Sequence, residues 1–259
     1  MYKRYTRDLY SRFPALNQQK VVIERRFRRF LRLPTESDHR LFRFFAGLEG
    51  VCFVDIGANV GQTIDAIRMH GWECEVHSFE PNPILATTLR ETYAGDASLT
   101  VHNVALSDQS GQMSLVIPYY RKMAFHGLAS LDEENITGWL SADFIAFYDR
   151  RKLSMVTEKV QVRTLDSFSL DPYFIKVDVQ GFEYEVLKGG MQTIERSRPI
   201  IMLETPQENR ETRLLKSWGY RIFRFDRNRL VEGGRGSLNT FFIAEEKVDD
   251  LPAGLVVAG

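Results

Sequence analysis

The sequence predicts an α/β fold of the doubly wound, Rossmann-like kind: a mainly parallel seven-stranded sheet with helices on both faces, preceded by an N-terminal helical extension. Three observations carry this. The run Phe53-Val54-Asp55-Ile56-Gly57-Ala58-Asn59-Val60-Gly61 is an apolar strand that ends in a carboxylate and enters a glycine-bearing turn. From residue 51 onward short apolar runs alternate with helical patterns, as crossover connections require. A second strand, Tyr173-Phe174-Ile175-Lys176-Val177-Asp178, again ends in an acid and leads through Gly181 into a helix.

The 259 residues suffice for one large α/β domain or a domain with an appendage. A composition of 44% hydrophobic and 26% charged residues belongs to a globular chain, not a disordered one. Zero formal net charge argues against a general nucleic-acid binder, yet residues 1–50 carry twelve Lys or Arg against five acids. That segment is therefore +7 and the remainder −7. Cys52 and Cys74, both inside apparent strands, read as buried thiols in a reducing compartment. No apolar run approaches the roughly 20 residues that span a bilayer, and the N-terminus lacks a secretory pattern. A cytoplasmic protein without a transmembrane segment is expected.

In chain order, residues 18–33 form an amphipathic helix with Ile23, Phe27, Phe30 and Leu31 on one face and Arg25, Arg26, Arg28, Arg29 and Arg32 around the other. Pro34 ends it, and Thr35 caps a second helix carrying Leu41, Phe42, Phe45 and Leu48. This 1–50 extension is expected to dock with its basic face solvated; the other readings are pairing between subunits in a homo-oligomer, or presentation of the arginines to an anionic partner. The sheet domain spans 51–247. Its strands are expected at 51–56, 74–79, 98–103, 173–178, 198–204, 219–225 and 237–243, and its helices near 61–70, 82–93, 182–194 and 207–217. After a hairpin signal at 107–111 and a strand at 112–117, residues 119–158 are too long for a plain connection. They hold Tyr119, Tyr120, Phe125, His126 and Trp139, with a short helix at 141–150, and read as a lid or substrate-binding insertion, or as aromatics packing that insertion onto the body. Residues 248–259 read as a frayed tail.

The chemistry follows from strand ends. Gly57 and Gly61 frame a tight turn that lets a ligand approach the backbone, and Asn59 tolerates a left-handed conformation. Asp55 would repel the pyrophosphate of a dinucleotide but suits the ammonium of a methionine moiety, so S-adenosylmethionine fits better than NAD. Glu80, ending Val76-His77-Ser78-Phe79-Glu80-Pro81, is placed to accept both hydroxyls of a ribose. Asp178, Glu183 and Glu204 converge opposite the cofactor, where they would orient a hydroxyl, take its proton or hold a hard cation; the plainer reading makes them caps and ion-pair partners.

Taken together, Val54-Asp55-Ile56-Gly57-Ala58-Asn59-Val60-Gly61, Phe79-Glu80-Pro81-Asn82-Pro83, Asn103-Val104-Ala105-Leu106-Ser107-Asp108, Thr164-Leu165-Asp166 and Ile175-Lys176-Val177-Asp178-Val179-Gln180-Gly181 resemble the FkbM family of S-adenosylmethionine-dependent methyltransferases over about 51–243. The resemblance implies a class I methyltransferase fold and an O-methyltransferase acting on a hydroxyl, most often of a sugar in a glycan, glycolipid or natural product. It also implies that Asp55, Gly57, Ala58, Asn59 and Gly61 line the methionine end, Glu80 and Pro81 the ribose, and Asn103, Val104 and Ala105 the adenine, with Asp178 beside the transferring methyl. The chain departs from the family pattern at Gln180, where an acid is common, and at Phe182, where a small residue is.

Asp178 is the first candidate for general base or orienting acceptor, followed by Glu204 and His126. No ligand spacing distinctive of a metal is present, although three carboxylates would accept a divalent ion. The rival readings are a non-catalytic cofactor-binding or assembly protein and an NAD-linked oxidoreductase.

Overall fold

A computed structural model describes residues 2–129, 140–204 and 210–257. Helices α1 (Tyr2–Arg12) and α2 (Pro14–Leu31) lead into a 3-10 segment at Asp38–Phe45. Two expectations change here. The helix expected from Thr35 is this 3-10 segment, which buries Leu41, Phe42 and Phe45, while Asp38 accepts hydrogen bonds from the backbone and side chain of Asn239 at 3.2 and 3.3 Å. Helix α2 turns two of its arginines to the body while others stay exposed: Arg25 donates to both oxygens of Asp65 at 2.6 and 3.0 Å, and Arg29 joins at 2.7 Å. A charged anchor holds the helix where an apolar one was expected.

The remainder alternates as the pattern requires: β1 (Cys52–Ile56), α3 (Gln62–Met69), β2 (Glu75–Phe79), α4 (Pro83–Thr92), β3 (Leu99–His102), then β4 (Ala105–Leu106), β5 (Gly111–Tyr120), β6 (Met123–Ala124) and β7 (Leu153–Arg163). After β8 (Pro172–Val177) come α5 (Glu183–Gly189) and α6 (Met191–Ser197), β9 (Ile200–Glu204), α7 (Arg210–Ser217), β10 (Tyr220–Asp226), β11 (Arg229–Glu232), β12 (Asn239–Ala244) and β13 (Val256–Val257). The expected helix over 182–194 is thus two, meeting at Gly190.

The main sheet is ordered β13-β11-β10-β12-β9-β8-β1-β2-β3, nine strands where seven were expected, the first a two-residue edge. Strands β3, β2, β1, β8 and β9 run parallel, but β12, β10 and β11 pair antiparallel, so the sheet is mixed. The additional strand β11 follows a two-residue turn in which Arg227 and Asn228 both have positive φ, 46° and 65°, as a type I′ hairpin demands. Nor does the C-terminal segment fray. Leu255 is fully buried, its carbonyl accepts from Leu230 N at 2.7 Å, and β13 pairs with β11.

A second sheet, β4-β7-β5-β6, is built on an antiparallel ladder from Gly111↔Val162 to Tyr120↔Leu153. It claims both ends of the expected insertion as strand. Where a helix was expected over 141–150, the chain makes turns, closing with a 3-10 turn at Arg150–Lys152. Tyr120 and Phe125 pack with Leu140 and Ile145, so these aromatics serve the insertion's own core. Trp139 lies outside the described residues.

The core beneath the sheet is aromatic. Phe53 on β1 stacks on Phe174 of β8 at 4.9 Å, and Phe42, Phe45 and Trp72 close around them. Burial drives the Cys52 and Cys74 thiols up to about 12 and about 11, which leaves both unreactive. Replacing the fully buried Phe174 with Ala removes the centre of this cluster and is expected to cost about 3–5 kcal/mol. Urea denaturation would read it as a lower midpoint at unchanged slope; a loss under about 1 kcal/mol would contradict the assignment of this cluster as the core.

Candidate active site

Strand order reverses between β1 and β8: β1 continues outward to β2 and β3, whereas β8 and β9 lie on its other side. The loops after β1 and β8 therefore diverge, and the crevice between them is where ligands bind in open α/β sheets. A cleft of about 220 Å³ occupies this place.

Its floor is set by backbone contact. Asp178 N donates to Ile56 O at 3.0 Å, and Gly57, at φ 83°, lies so close to the Asp178 carbonyl that a β-carbon there would be 1.8 Å from the oxygen. Glycine is thus required by the neighbouring strand end. Asn59 is left-handed at φ 50°, which turns its N–H toward Glu80 Oε2 at 2.8 Å. The other Glu80 oxygen accepts from Asn82 N at 2.9 Å. Burial pushes the Glu80 carboxyl up to about 7 against the opposing pull of these two amides. A carboxylate has about four acceptor positions, so two remain for a pair of ligand hydroxyls.

At the opposite end three side chains are wired together. The Gln180 amide nitrogen donates to Asp178 Oδ1 at 2.9 Å and to Glu204 Oε2 at 3.1 Å, using its two hydrogens on two carboxylates. Lys176 Nζ lies 3.2 Å from Asp178 Oδ2. Burial alone would raise Asp178, but Lys176 and the hydrogen bonds from its neighbours hold it below its usual value. Glu204 is driven up to about 7 by burial and by the Asp178 charge beside it. The pair thus holds one carboxylate ionised and one poised near neutrality. His126 joins from the insertion: its Nδ1 accepts from Asn82 Nδ2 at 2.9 Å, which places the proton of the neutral ring on Nε2, and burial keeps its pKa low.

Of the residues singled out in the sequence, Gly57, Asn59, Glu80, Pro81, Val104, Ala105, His126, Asp178 and Glu204 line this one cleft. Others do not. Asp55 is fully buried, pushed up to about 6 by that burial, and the cation it faces is Lys176 Nζ at 4.0 Å, directly across the β1–β8 pairing. It is not among the residues that line the cleft. Ala58 is buried in the core; Gly61 faces the Tyr93 hydroxyl, 2.7 Å from its carbonyl. Asn103 donates to the carbonyls of Glu80 and Pro81, both at 2.9 Å, and so braces the loop that carries Glu80. Glu183 is taken up by the N–H groups of Val179 and Gly181 at 3.2 and 3.0 Å, which withdraws it from the expected three-carboxylate cluster. Among the described residues no group of three or more His, Cys, Asp or Glu is arranged to hold a metal.

The sequence reading missed the functional weight of Lys176 and Gln180. A single lysine inside the apolar strand Phe174-Ile175-Lys176-Val177 was the available signal, since a buried ammonium requires partners. The apolar walls Phe79, Leu106 and Leu115 were not foreseen either, whereas Phe182, noted as a departure from the family pattern, does line the cleft.

Comparison with known proteins places this geometry. A family model described as the methyltransferase FkbM domain matches residues 55–222. The chain is 24% identical over 215 residues to the 2-O-methyltransferase NoeI of Sinorhizobium fredii (strain NBRC 101917 / NGR234), across 75% of this chain and 82% of that one. Among solved structures, methyltransferase FkbM from Methylobacillus flagellatus KT aligns at TM-score 0.48 and 17% identity, covering 80% of this chain and 48% of that one, so the chain spans about half its length. A SAM-dependent O-methyltransferase from Thermotoga maritima aligns at TM-score 0.39 and 10% identity, covering 80% and 64%.

Gly57→Ala is expected to destabilise the fold by about 2 kcal/mol or more, because the left-handed backbone and the Asp178 carbonyl both oppose a β-carbon. Urea denaturation without any ligand tests this. If stability held and only ligand affinity fell, the glycine would be serving the ligand and not the strand end.

Proposed function

Because the chain belongs to the FkbM family of methyltransferases, we propose that it moves the methyl group of S-adenosylmethionine onto a hydroxyl oxygen of a sugar in a glycan, glycolipid or natural product. One observation supports this above others: a single cleft holds a two-point hydroxyl acceptor, Glu80, at one end and a linked carboxylate pair, Asp178 and Glu204, at the other. The residues fit the cofactor in kind, with Glu80 for a ribose diol and the walls Phe79, Val104 and Leu106 for the purine. The name of the Sinorhizobium relative favours oxygen as the methyl acceptor.

When bound, S-adenosylmethionine supplies an electrophilic methyl on a positively charged sulfur. What the chain must add is alignment and a place for the proton. Asp178, held ionised by Lys176, accepts a hydrogen bond from the incoming hydroxyl and fixes its direction. As the oxygen–carbon bond forms and the sulfur–carbon bond breaks, the hydroxyl proton passes to Glu204, whose pKa of about 7 suits proton acceptance near neutral pH. Gln180 keeps the two carboxylates at working separation; an acid at this position would place a third negative charge between them. His126 stands at the same cleft as a neutral donor through Nε2.

Glu80→Ala removes the diol acceptor and is expected to weaken S-adenosylmethionine binding by about 2–3 kcal/mol, read by calorimetry. Unchanged affinity in a folded variant would remove Glu80 from the cofactor site.

Turnover at saturating cofactor should rise with pH through about 7 as Glu204 loses its proton. Glu204→Gln should flatten that limb and lower turnover on the order of 10²-fold, whereas Gln180→Glu should move the limb to higher pH by adding a negative neighbour. Single-turnover rates measured as a function of pH decide the matter, and a limb that survives Glu204→Gln in place would assign the proton to another group.

A further inference from the structure

The apolar face of α1 and α2 points away from the body. Along α2, Leu16, Ile23, Phe27 and Phe30 recur at spacings of seven, four and three, which puts them on one stripe; Phe30 is 84% exposed, Ile23 65% and Phe27 59%, and Leu9 of α1 and Phe13 at the junction are exposed too. No described side chain of α2 is buried. At the lid, Phe147 extends this surface, 72% exposed and in edge contact with Tyr5 at 5.9 Å.

What flanks the stripe is positive. Lys20 stands within it and Arg26 beside it, both exposed, in a segment of net charge +7. The nearby acids are already engaged: Glu24 pairs with Lys20 at 3.4 Å, and Asp8 with Arg12 and Arg121 at 3.1 and 3.2 Å. A second copy laid on this face by a two-fold axis would bring Lys20 and Arg26 toward their own counterparts, and like charges set against each other oppose such pairing. An anionic lipid surface satisfies both features at once. Its acyl boundary takes up the Ile and Phe side chains while its headgroups meet the Lys and Arg, whose long stems let their charges reach the interface.

We propose that α1 and α2 form an interfacial anchor that lays this protein on an anionic membrane. The anchor is also joined to the insertion: Ala146 N donates to Arg4 O at 3.1 Å, Lys122 N to Ser11 O at 3.3 Å, and Arg7 to Phe144 O at 3.2 Å. The same insertion brings His126 to the cleft. The inference goes beyond the assigned reaction and does not rest on it.

The test is co-sedimentation of the full chain with vesicles of phosphatidylcholine alone and of phosphatidylcholine mixed with phosphatidylglycerol, at low and high salt. The wild type should pellet with the anionic vesicles at low salt and remain in solution with the neutral ones. Ile23→Ser with Phe27→Ser and Phe30→Ser should lower the partition on the order of tenfold or more, and Lys20→Gln with Arg26→Gln should lower it and flatten its salt dependence. Phe30→Ser alone carries the test if the triple variant fails to fold. Failure to pellet with anionic vesicles, or equal pelleting of the serine variants, overturns the proposal. So does a wild-type dimer in light scattering that the serine variants convert to monomer. Calorimetry with S-adenosylmethionine on the same samples keeps the result separate from the assigned reaction, since the anchor variants leave the cleft residues untouched.

Discussion

The Lys176 ammonium is the point on which the site turns. It is almost wholly buried on a central strand, a position no cation occupies without compensation, and two carboxylates from adjoining strand ends provide it. Burial by itself would lower the lysine's pKa; Asp178 and Asp55 outweigh it and keep the ammonium charged. The consequences pass outward in order. Asp178 stays ionised, its charge raises Glu204 toward neutrality, and one amide from Gln180 holds the two at a fixed distance. Removing the lysine would take from Asp55 and Asp178 the cation they share across the β1–β8 seam, and burial would then favour the protonated form of Asp55.

The rest of the fold delivers these groups. Strand pairing sets Asp55 directly opposite Lys176, and the Gly57 approach brings the two strand ends into backbone contact. The second sheet serves a different purpose, because its long β5–β7 ladder extends outward from the body and returns the chain at His126, where the Asn82 amide captures the ring. The oxygen of that Asn82 amide caps α4 through Ile84 N at 3.0 Å. One side chain thereby ties the insertion to the loop that carries Glu80.

Much of this was legible in the sequence, and the parts that were not share a cause. Acids at the ends of apolar strands, Glu80, Asp178 and Glu204, announced themselves because a strand end is the one place where such a run has reason to carry a charge. Asp55 has the same local signature but a different partner, and nothing local reveals that residue 176 lies across from it. Strand β7 was hidden by its polarity: Leu153–Arg163 is largely exposed and offers no clean alternation. The β10–β11 turn uses Arg227 and Asn228 where glycine would have signalled a hairpin. For α2, helical spacing identifies which residues share a face but not which face turns inward, and the Asp65 anchor settles that against the usual expectation.

The β1–β8 seam also has a meaning in the order of folding. Its two strands are separated by more than a hundred residues of chain, and this pairing brings the Gly57 turn and the Asp178 turn together at the crevice. Local units such as the β10–β11 hairpin, which closes a two-residue turn, form without it at little cost in chain entropy, and the β5–β7 ladder closes a loop far shorter than the β1–β8 separation. A chain arrested before the seam closes therefore has ample secondary structure and no binding cleft. Any ligand of the cleft selects the fully joined sheet and adds its binding free energy to that one long-range step, acting as a late clasp on the fold as well as an occupant of its site.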